Sequence, residues 1–318
     1  MVNIKKCAII GCGFVGATTA YTLVNSNLFS EIVLIDVDRK KTEGEALDIN
    51  HGLPFLSPVE IYAGDYSDIS DAAIIIITAG ANQRPGETRL DLLNKNTRIF
   101  HSIVSNIIRY NNEGIIIVVS NPVDVLTYVT LKTSGFPPNR VIGSGTVLDT
   151  ARLKYLIGKY FEVDPRNVHT FIIGEHGDSE LPVWSSANIS GIDLDSYCQS
   201  CSNRCTFSAL DKLFEEVKSS AYKIIDYKGA TYYAIAQAVK KIVSSIVMDE
   251  NTVLPVSALT DNHYGLEDIC LGLPSIIGSS GIKKTLEIPL DANELNLLNT
   301  SARKIKAIVD SINFSHLV

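Results

Sequence analysis

Cys7-Ala8-Ile9-Ile10-Gly11-Cys12-Gly13-Phe14-Val15-Gly16 decides how the first half of the chain is read. Cys7 to Ile10 is a short apolar run of strand type. Gly11-x-Gly13-x-x-Gly16 follows at once and opens a segment, 13–24, that reads as a helix. Glycines at this spacing permit a tight turn, let the backbone approach a pyrophosphate at the helix N-terminus, and let helix and strand pack closely. A second strand, read over 31–37, carries Asp36 twenty residues after Gly16. A carboxylate there accepts hydrogen bonds from adenosine ribose hydroxyls and repels the 2′-phosphate of NADP, and the next arginine is only Arg39. Strand, turn, helix and acid together predict an NAD-type site built on Gly11, Gly13, Phe14, Val15, Gly16 and Asp36.

Outward from this unit, strands read at 59–63, 73–78, 114–120 and 140–143 alternate with helices at 40–51, 90–111 and 123–134, the pattern of βαβ units. Ile74 to Ile77 is wholly β-branched and apolar, as a strand buried on both faces requires. The prediction is an α/β fold with a Rossmann-type doubly wound parallel sheet. From about Gly145 the pattern changes to a helix opening at Asp149, strand-like pieces around His169 to Ile173, and two long amphipathic helices. Leu210, Leu213, Phe214, Val217, Ala221 and Ile224 share a face of one, and Leu295, Leu298, Ala302, Ile305 and Val309 a face of the other. This half reads as an α+β substrate-binding domain, giving domains at 1–144 and 145–318.

At 318 residues the chain has room for two such cores, and 46% hydrophobic with 20% charged residues is ordinary for a folded enzyme. A net charge of -7 disfavours a grip on nucleic acid phosphates. The longest apolar runs, such as Ala72 to Ala79, fall well short of the roughly 20 residues of a membrane helix. Met1 to Lys6 leads straight into a strand and is not read as a signal peptide, so a cytoplasmic protein is expected. Six cysteines in a chain of this length form no disulfide framework. Cys198, Cys201 and Cys205 lack a fourth ligand at zinc-site spacing, so no metal is expected.

Two further segments carry chemistry: Leu148-Asp149-Thr150-Ala151-Arg152 and Gly174-Glu175-His176-Gly177-Asp178. Asp149 and Arg152 lie three apart and project from one face of a helix. An arginine so placed can grip a carboxylate with two bonds, and a carboxylate can fix a histidine's tautomer and favour its protonated form. By spacing alone, a surface ion pair and a structural histidine remain open alternatives.

Over essentially its whole length the chain resembles the L-lactate/malate dehydrogenase family. The resemblance rests on Gly11 to Gly16, Thr78-Ala79-Gly80-Ala81-Asn82-Gln83-Arg84-Pro85-Gly86-Glu87-Thr88-Arg89-Leu90, Ser120-Asn121-Pro122-Val123-Asp124, Leu148 to Arg152, Gly174 to Ser179, and Lys228-Gly229-Ala230-Thr231-Tyr232-Tyr233. It implies hydride transfer between NAD and a small 2-hydroxy acid. His176 would be the proton donor and acceptor, Asp149 its orienting partner, and Arg152 the carboxylate clamp. Arg89 would polarise the substrate carbonyl from a closing loop, and Asn121 would contact substrate and cofactor, with Thr78 and Gly80 also in the cofactor site. Malate dehydrogenases place an arginine six residues before the loop arginine. Here that position is the neutral Gln83, which implies pyruvate and L-lactate, with Thr231 and Ile235 flooring a small pocket. Malate, larger 2-hydroxy acids, or an NAD-binding regulator without turnover are the rival readings. Of these, the last has no need to keep His176, Asp149, Arg152 and Arg89 together.

The family also implies a homo-oligomer, dimer or tetramer. Its bacterial members often bind fructose 1,6-bisphosphate between subunits through an arginine two residues after the clamp and a histidine seven before the catalytic one. Those positions are Lys154 and His169, so the histidine is kept while lysine replaces the two-pronged arginine.

Overall fold

The computed structural model describes residues 2–81, 86, 89–200 and 207–312. Gln83, Arg84, Cys201 and Cys205 lie outside the described residues. The first half runs β1 (Asn3–Ile10), α1 (Phe14–Val24), β2 (Glu31–Ile35), α2 (Arg39–Gly52), β3 (Glu60–Ala63), β4 (Ala72–Ile77), α3 (Arg89–Tyr110), β5 (Ile115–Val118), α4 (Val123–Ser134) and β6 (Val141–Gly143). All six strands pair in parallel in the order β3-β2-β1-β4-β5-β6. This is the doubly wound order, and the direction of winding reverses between β1 and β4, where a crevice must open beyond the strand ends. The second strand is shorter than its apolar run suggests: it ends at Ile35, and Val37 is fully exposed.

Alternation along the strands builds two cores, one on each sheet face. Ala8, Ile10, Ile75 and Ile77 face one way, against Phe100, Val104 and Ile107 of α3 and Leu126 and Val129 of α4. Cys7, Ile9, Ile74 and Ile76 face the other, against Leu23 and Val24 of α1. The four isoleucines of β4 are wholly buried. At about 2 to 3 kcal/mol for each such side chain, this strand anchors the end at which the glycine turn sits.

The second half contributes α5 (Val147–Phe161), β7 (Val168–His169), β8 (Ile172–Ile173), β9 (Leu181–Pro182), β10 (Asn188–Ile189), β11 (Ile192–Asp193), α6 (Leu194–Ser200), α7 (Phe207–Lys228), α8 (Tyr233–Val247), β12 (Thr252–His263), β13 (Leu266–Gly278), β14 (Gly281–Thr285) and α9 (Ala292–Asp310). The helix expected at Asp149 opens two residues earlier, at Val147. The two amphipathic helices are α7 and α9. In α9, Leu298, Ala302, Ile305 and Val309 are buried while Leu295 stays partly exposed. In α7, Leu210 and Val217 join a third core with Leu153, Leu156 and Ile157 of α5.

The antiparallel meander β12-β13-β14 joins the parallel sheet through β6 and makes nine strands in all. The sequence reading did not contain it. Pro255 and Pro274 sit opposite one another in β12 and β13, and prolines within an apolar run argue against a strand. Helix α8 was likewise unforeseen, although Val239, Ile242, Val243 and Ile246 fill the same core as α1. Among the described residues, no helix is long and apolar enough to cross a membrane.

Candidate active site

The crevice between β1 and β4 is closed at its floor by the glycine turn. Gly11 has φ +103, and a Cβ there would stand 2.3 Å from Ala79 N, so backbone conformation and close approach both require glycine. At Gly16 a Cβ would meet Gly11 O at 1.8 Å, which is the close packing of helix on strand foreseen for the third glycine. Thr78 Oγ1 donates to Gly11 O at 2.6 Å, and Thr78 and Ala79 N–H both donate to Ile10 O, clamping the ends of β1 and β4 together. Gly80 follows directly, beside Ser120, whose hydroxyl donates to Ala79 O at 2.7 Å.

Gly13 is different, because a Cβ there would meet nothing within 4 Å. The fold itself places no demand on glycine at this point, whereas a pyrophosphate lying against the turn would. Gly13 is the N-cap of α1, no side chain caps the helix, and its first turn carries no acid. The N–H groups of Phe14, Val15 and Gly16 therefore have no intrahelical or capping partner, as an anion site needs. Asp36 is held at the rim by Cys12 N–H (2.6 Å) and Asp38 N–H (3.1 Å), which leaves lone pairs on both oxygens for ribose hydroxyls. Arg39 is committed to Glu43, Asp65 and Ala63 O, and so is not a free cation for a 2′-phosphate. These residues fit a dinucleotide without a 2′-phosphate.

Phe14 projects from the turn and stacks on Tyr232, with centroids 5.4 Å apart, while Lys228 sits over the same tyrosine at 3.3 Å. This contact sets Thr231, half-buried in the turn between α7 and α8, beside the glycine turn.

On the other wall, the first turns of α5 place Asp149 and Arg152 side by side. Asp149 Oδ1 accepts from Arg152 Nη1 at 2.9 Å, and Asp149 Oδ2 lies 2.5 Å from His176 Nδ1. With Asp149 only 2% exposed, the surface ion pair left open by spacing is ruled out. Burial alone would favour neutral forms of both partners. For His176 it is outweighed by Asp149, with Asp124 and Glu180 adding to it, so the imidazole is raised to about 9. For Asp149 burial is outweighed by His176 and Arg152, and the carboxyl stays below its ordinary value. With Nδ1 committed to Asp149, Nε2 remains for exchange with a ligand. Arg152 makes no other side-chain bond among the described residues, so most of its donors are free for a carboxylate.

The backbone of this segment is anchored at each of Gly174, Glu175 and His176, the second through Ser301 Oγ at 2.8 Å. Gly174 and Gly272 of β13 exchange hydrogen bonds at 2.9 Å. His176 N–H donates to Asp124 Oδ2 at 2.7 Å, and Ser257 Oγ donates to Asp124 Oδ1 at 2.6 Å. Burial raises Asp124 to about 6 despite these bonds.

Asn121, Asp149, Arg152, His176 and Glu180 line one cleft of about 920 Å³, with Lys218 and Tyr222 of α7 on its far side. Arg89 is the first residue of α3, and Leu92 and Leu93 of that helix line this cleft. The end of β5 is positioned by buried Asn96, which receives Ala81 N–H (2.8 Å) and donates to Asn121 O (3.3 Å). Lys154 lies half-buried on α5, which packs on β7, where His169 is exposed.

Sequence reasoning missed Asp124 and Glu180. Asp124 stood in the quoted run Ser120 to Asp124 with no role attached to it, and Glu180 stood four residues beyond His176. Ligand atoms of Asp149, His176 and Glu180 lie within 4.8 Å of one another and are the set of described residues able to hold a metal. Asp149 is already bonded to both His176 and Arg152, which leaves a metal little to compete for.

The family model "lactate/malate dehydrogenase, NAD binding domain" matches residues 5–143, and "lactate/malate dehydrogenase, alpha/beta C-terminal domain" matches 146–314. The chain is 54% identical over 310 residues to an L-lactate dehydrogenase of Acetivibrio thermocellus, covering 98% of each chain. It is 52% identical to L-lactate dehydrogenase 1 of Clostridium acetobutylicum, covering 96% of this chain and 98% of the relative. Among solved structures, the minor L-lactate dehydrogenase of Enterococcus mundtii superimposes with a TM-score of 0.95 at 42% identity, covering 98% of this chain and 99% of that one. With a dinucleotide cradle on one wall and an Asp149-centred pair of histidine and arginine on the other, the chain belongs to the lactate/malate dehydrogenase family and carries its NAD-binding domain.

Proposed function

We propose that this chain interconverts pyruvate and L-lactate with NADH and NAD, His176 exchanging the hydroxyl proton and Arg152 holding the substrate carboxylate. The observation that carries the reading is Asp149, buried on the cleft wall and bonded at once to His176 Nδ1 and Arg152 Nη1. A single carboxylate thus fixes both the proton carrier and the anion clamp.

When bound, the nicotinamide supplies or accepts the hydride at the substrate carbon. Arg152 binds and orients the substrate carboxylate through its uncommitted donors. His176, kept protonated by Asp149, gives its Nε2 proton to the oxygen as it becomes a hydroxyl, and the same geometry takes the proton back in the reverse direction. Arg89 polarises the carbonyl, and Asn121 and Thr231 position substrate and nicotinamide. Gly11, Gly13, Phe14, Val15, Gly16, Asp36, Thr78 and Gly80 hold the dinucleotide. A neutral Gln83 offers no partner for a second substrate carboxylate, which disfavours oxaloacetate by the cost of an unpaired buried charge. The names of the relatives support the same choice. In this account residues 1–144 serve the cofactor and 145–318 the substrate.

A homo-oligomer, dimer or tetramer, is part of the proposal. Tyr21, Leu47 and Phe55 on and beside α1 and α2 are mostly exposed and offer apolar surface to a second copy. Fructose 1,6-bisphosphate is proposed as an effector at Lys154 and His169. In its favour, burial pushes Lys154 below the ordinary lysine value, and an arriving phosphate would oppose that shift. Buried thiols at Cys7, Cys12 and Cys270 suit a reducing cytoplasm.

The test is product analysis: purified protein, NADH and pyruvate should give L-lactate in equal amount to the NADH consumed. Failure to form L-lactate rejects the reading. Identical pyruvate saturation curves with and without the sugar bisphosphate reject the effector.

A further inference from the structure

Glu180 has no part in the chemistry described above. Its side chain is 8% exposed and lies on the cleft wall just before β9. Its carboxyl stands within 4.8 Å of ligand atoms of both His176 and Asp149, yet it makes no side-chain hydrogen bond among the described residues. A buried carboxyl without donors is costly to ionise. Asp149 and Arg152 from α5, Lys218 from α7 and His176 from its own segment act on its charge, and Glu215, Glu175 and Asp178 line the same cleft. Lys218 is held by Glu215 at 2.6 Å, which blunts its pull on Glu180.

We propose that Glu180 is a positioning residue acting through His176: its carboxylate, once ionised, holds the imidazolium charged, so that the site keeps a proton to deliver into alkaline solution. The inference rests on the assignment of His176 as proton carrier. Asp149 is charged and fixed by two bonds, whereas Glu180 has no such bonds among the described residues and titrates. Burial and then Asp149 raise Glu180 to about 8, against the opposing pull of His176, Arg152 and Lys218, while His176 lies at about 9. A negative charge on Glu180, this close to the imidazolium, postpones release of the His176 proton as pH rises.

The experiment is the pH dependence of KM and kcat/KM for pyruvate in wild type, Glu180→Gln, Glu180→Asp and His176→Gln. Charges this close interact between the limits of water and of protein interior, so the alkaline midpoint of Glu180→Gln should fall by about one unit. Its kcat/KM above that midpoint should fall about tenfold, chiefly through KM, and Glu180→Asp should recover most of the loss. A Glu180→Gln limb that coincides with wild type overturns the inference. Infrared difference spectra of the wild type across about pH 7 to 9 provide the second measurement should Glu180→Gln not fold. A protonated-carboxyl band should fade over this range and shift in Glu180→Asp, and its absence at neutral pH overturns the inference. Wild-type activity in His176→Gln rejects the proton-carrier assignment instead, whereas an inactive His176→Gln beside an unmoved Glu180→Gln limb rejects only the role of Glu180.

Discussion

Asp149→Asn keeps the size of the side chain and an acceptor oxygen but removes the charge that sets the site. His176 stands at about 9 against an ordinary 6.5, because Asp149 leads the groups that overcome its burial. Without that charge the imidazole should fall to 6.5 or below, a change of about 2.5 units or about 3 kcal/mol. At about pH 7.5 the protonated fraction then drops from nearly all to about a tenth. Arg152 is held less firmly as well, since its bonded partner at 2.9 Å, Asp149 Oδ1, becomes at best a neutral amide oxygen. Together these should lower kcat/KM for pyruvate by about a hundredfold near neutrality, with a smaller loss in acid, where solution supplies the proton. The assay is NADH absorbance decay over the pH range, with cofactor binding followed by NADH fluorescence as a check on the intact turn. An alkaline limb still near pH 9 in Asp149→Asn would refute the reasoning, because another group would then be holding the proton.

Arg152→Lys keeps the positive charge but loses the fork that meets both Asp149 and a carboxylate; a loss of about 3 kcal/mol, or about a hundredfold in kcat/KM carried mainly by KM, is expected in steady-state kinetics. Asp36→Ser removes the ribose acceptor and should weaken NADH by about ten- to a hundredfold. NADPH should improve without reaching parity, since Arg39 stays tied to Glu43, Asp65 and Ala63 O; competition kinetics with the two cofactors decide this. The folded-state value of His176 lies above its unfolded one, so its stabilising contribution is complete below about pH 6.5 and is lost as pH rises through 9. Thermal unfolding temperature should fall across that window in wild type and much less in Asp149→Asn.

The cofactor half was legible because each of its features is local. Gly11, Gly13, Gly16 and Asp36 each answer to backbone geometry or to a ligand within one βαβ unit, and period-2 and period-3.6 patterns marked the strands and helices around them. The pairing of Asp149 with Arg152 was legible for the same reason, being three residues apart on one helix. The meander β12-β13-β14 was not, because Pro255 and Pro274, which sit opposite one another in it, contradict strand propensity. Asp124 and Glu180 were missed because their significance is purely tertiary. Asp124 is carried by α4 to the backbone of His176, 52 positions away in sequence. Glu180 stands out only once the fold buries its carboxyl beside Asp149 and the ring of His176.

The most direct test of the account is the ratio of kcat/KM for pyruvate to that for oxaloacetate, measured with NADH under one set of conditions. A site with one arginine clamp at Arg152 and a neutral Gln83 predicts strong preference for pyruvate, by about a hundredfold or more for an unpaired buried carboxylate. Equal use of the two acids, or preference for oxaloacetate, would contradict it and require a further cation beside the second carboxylate.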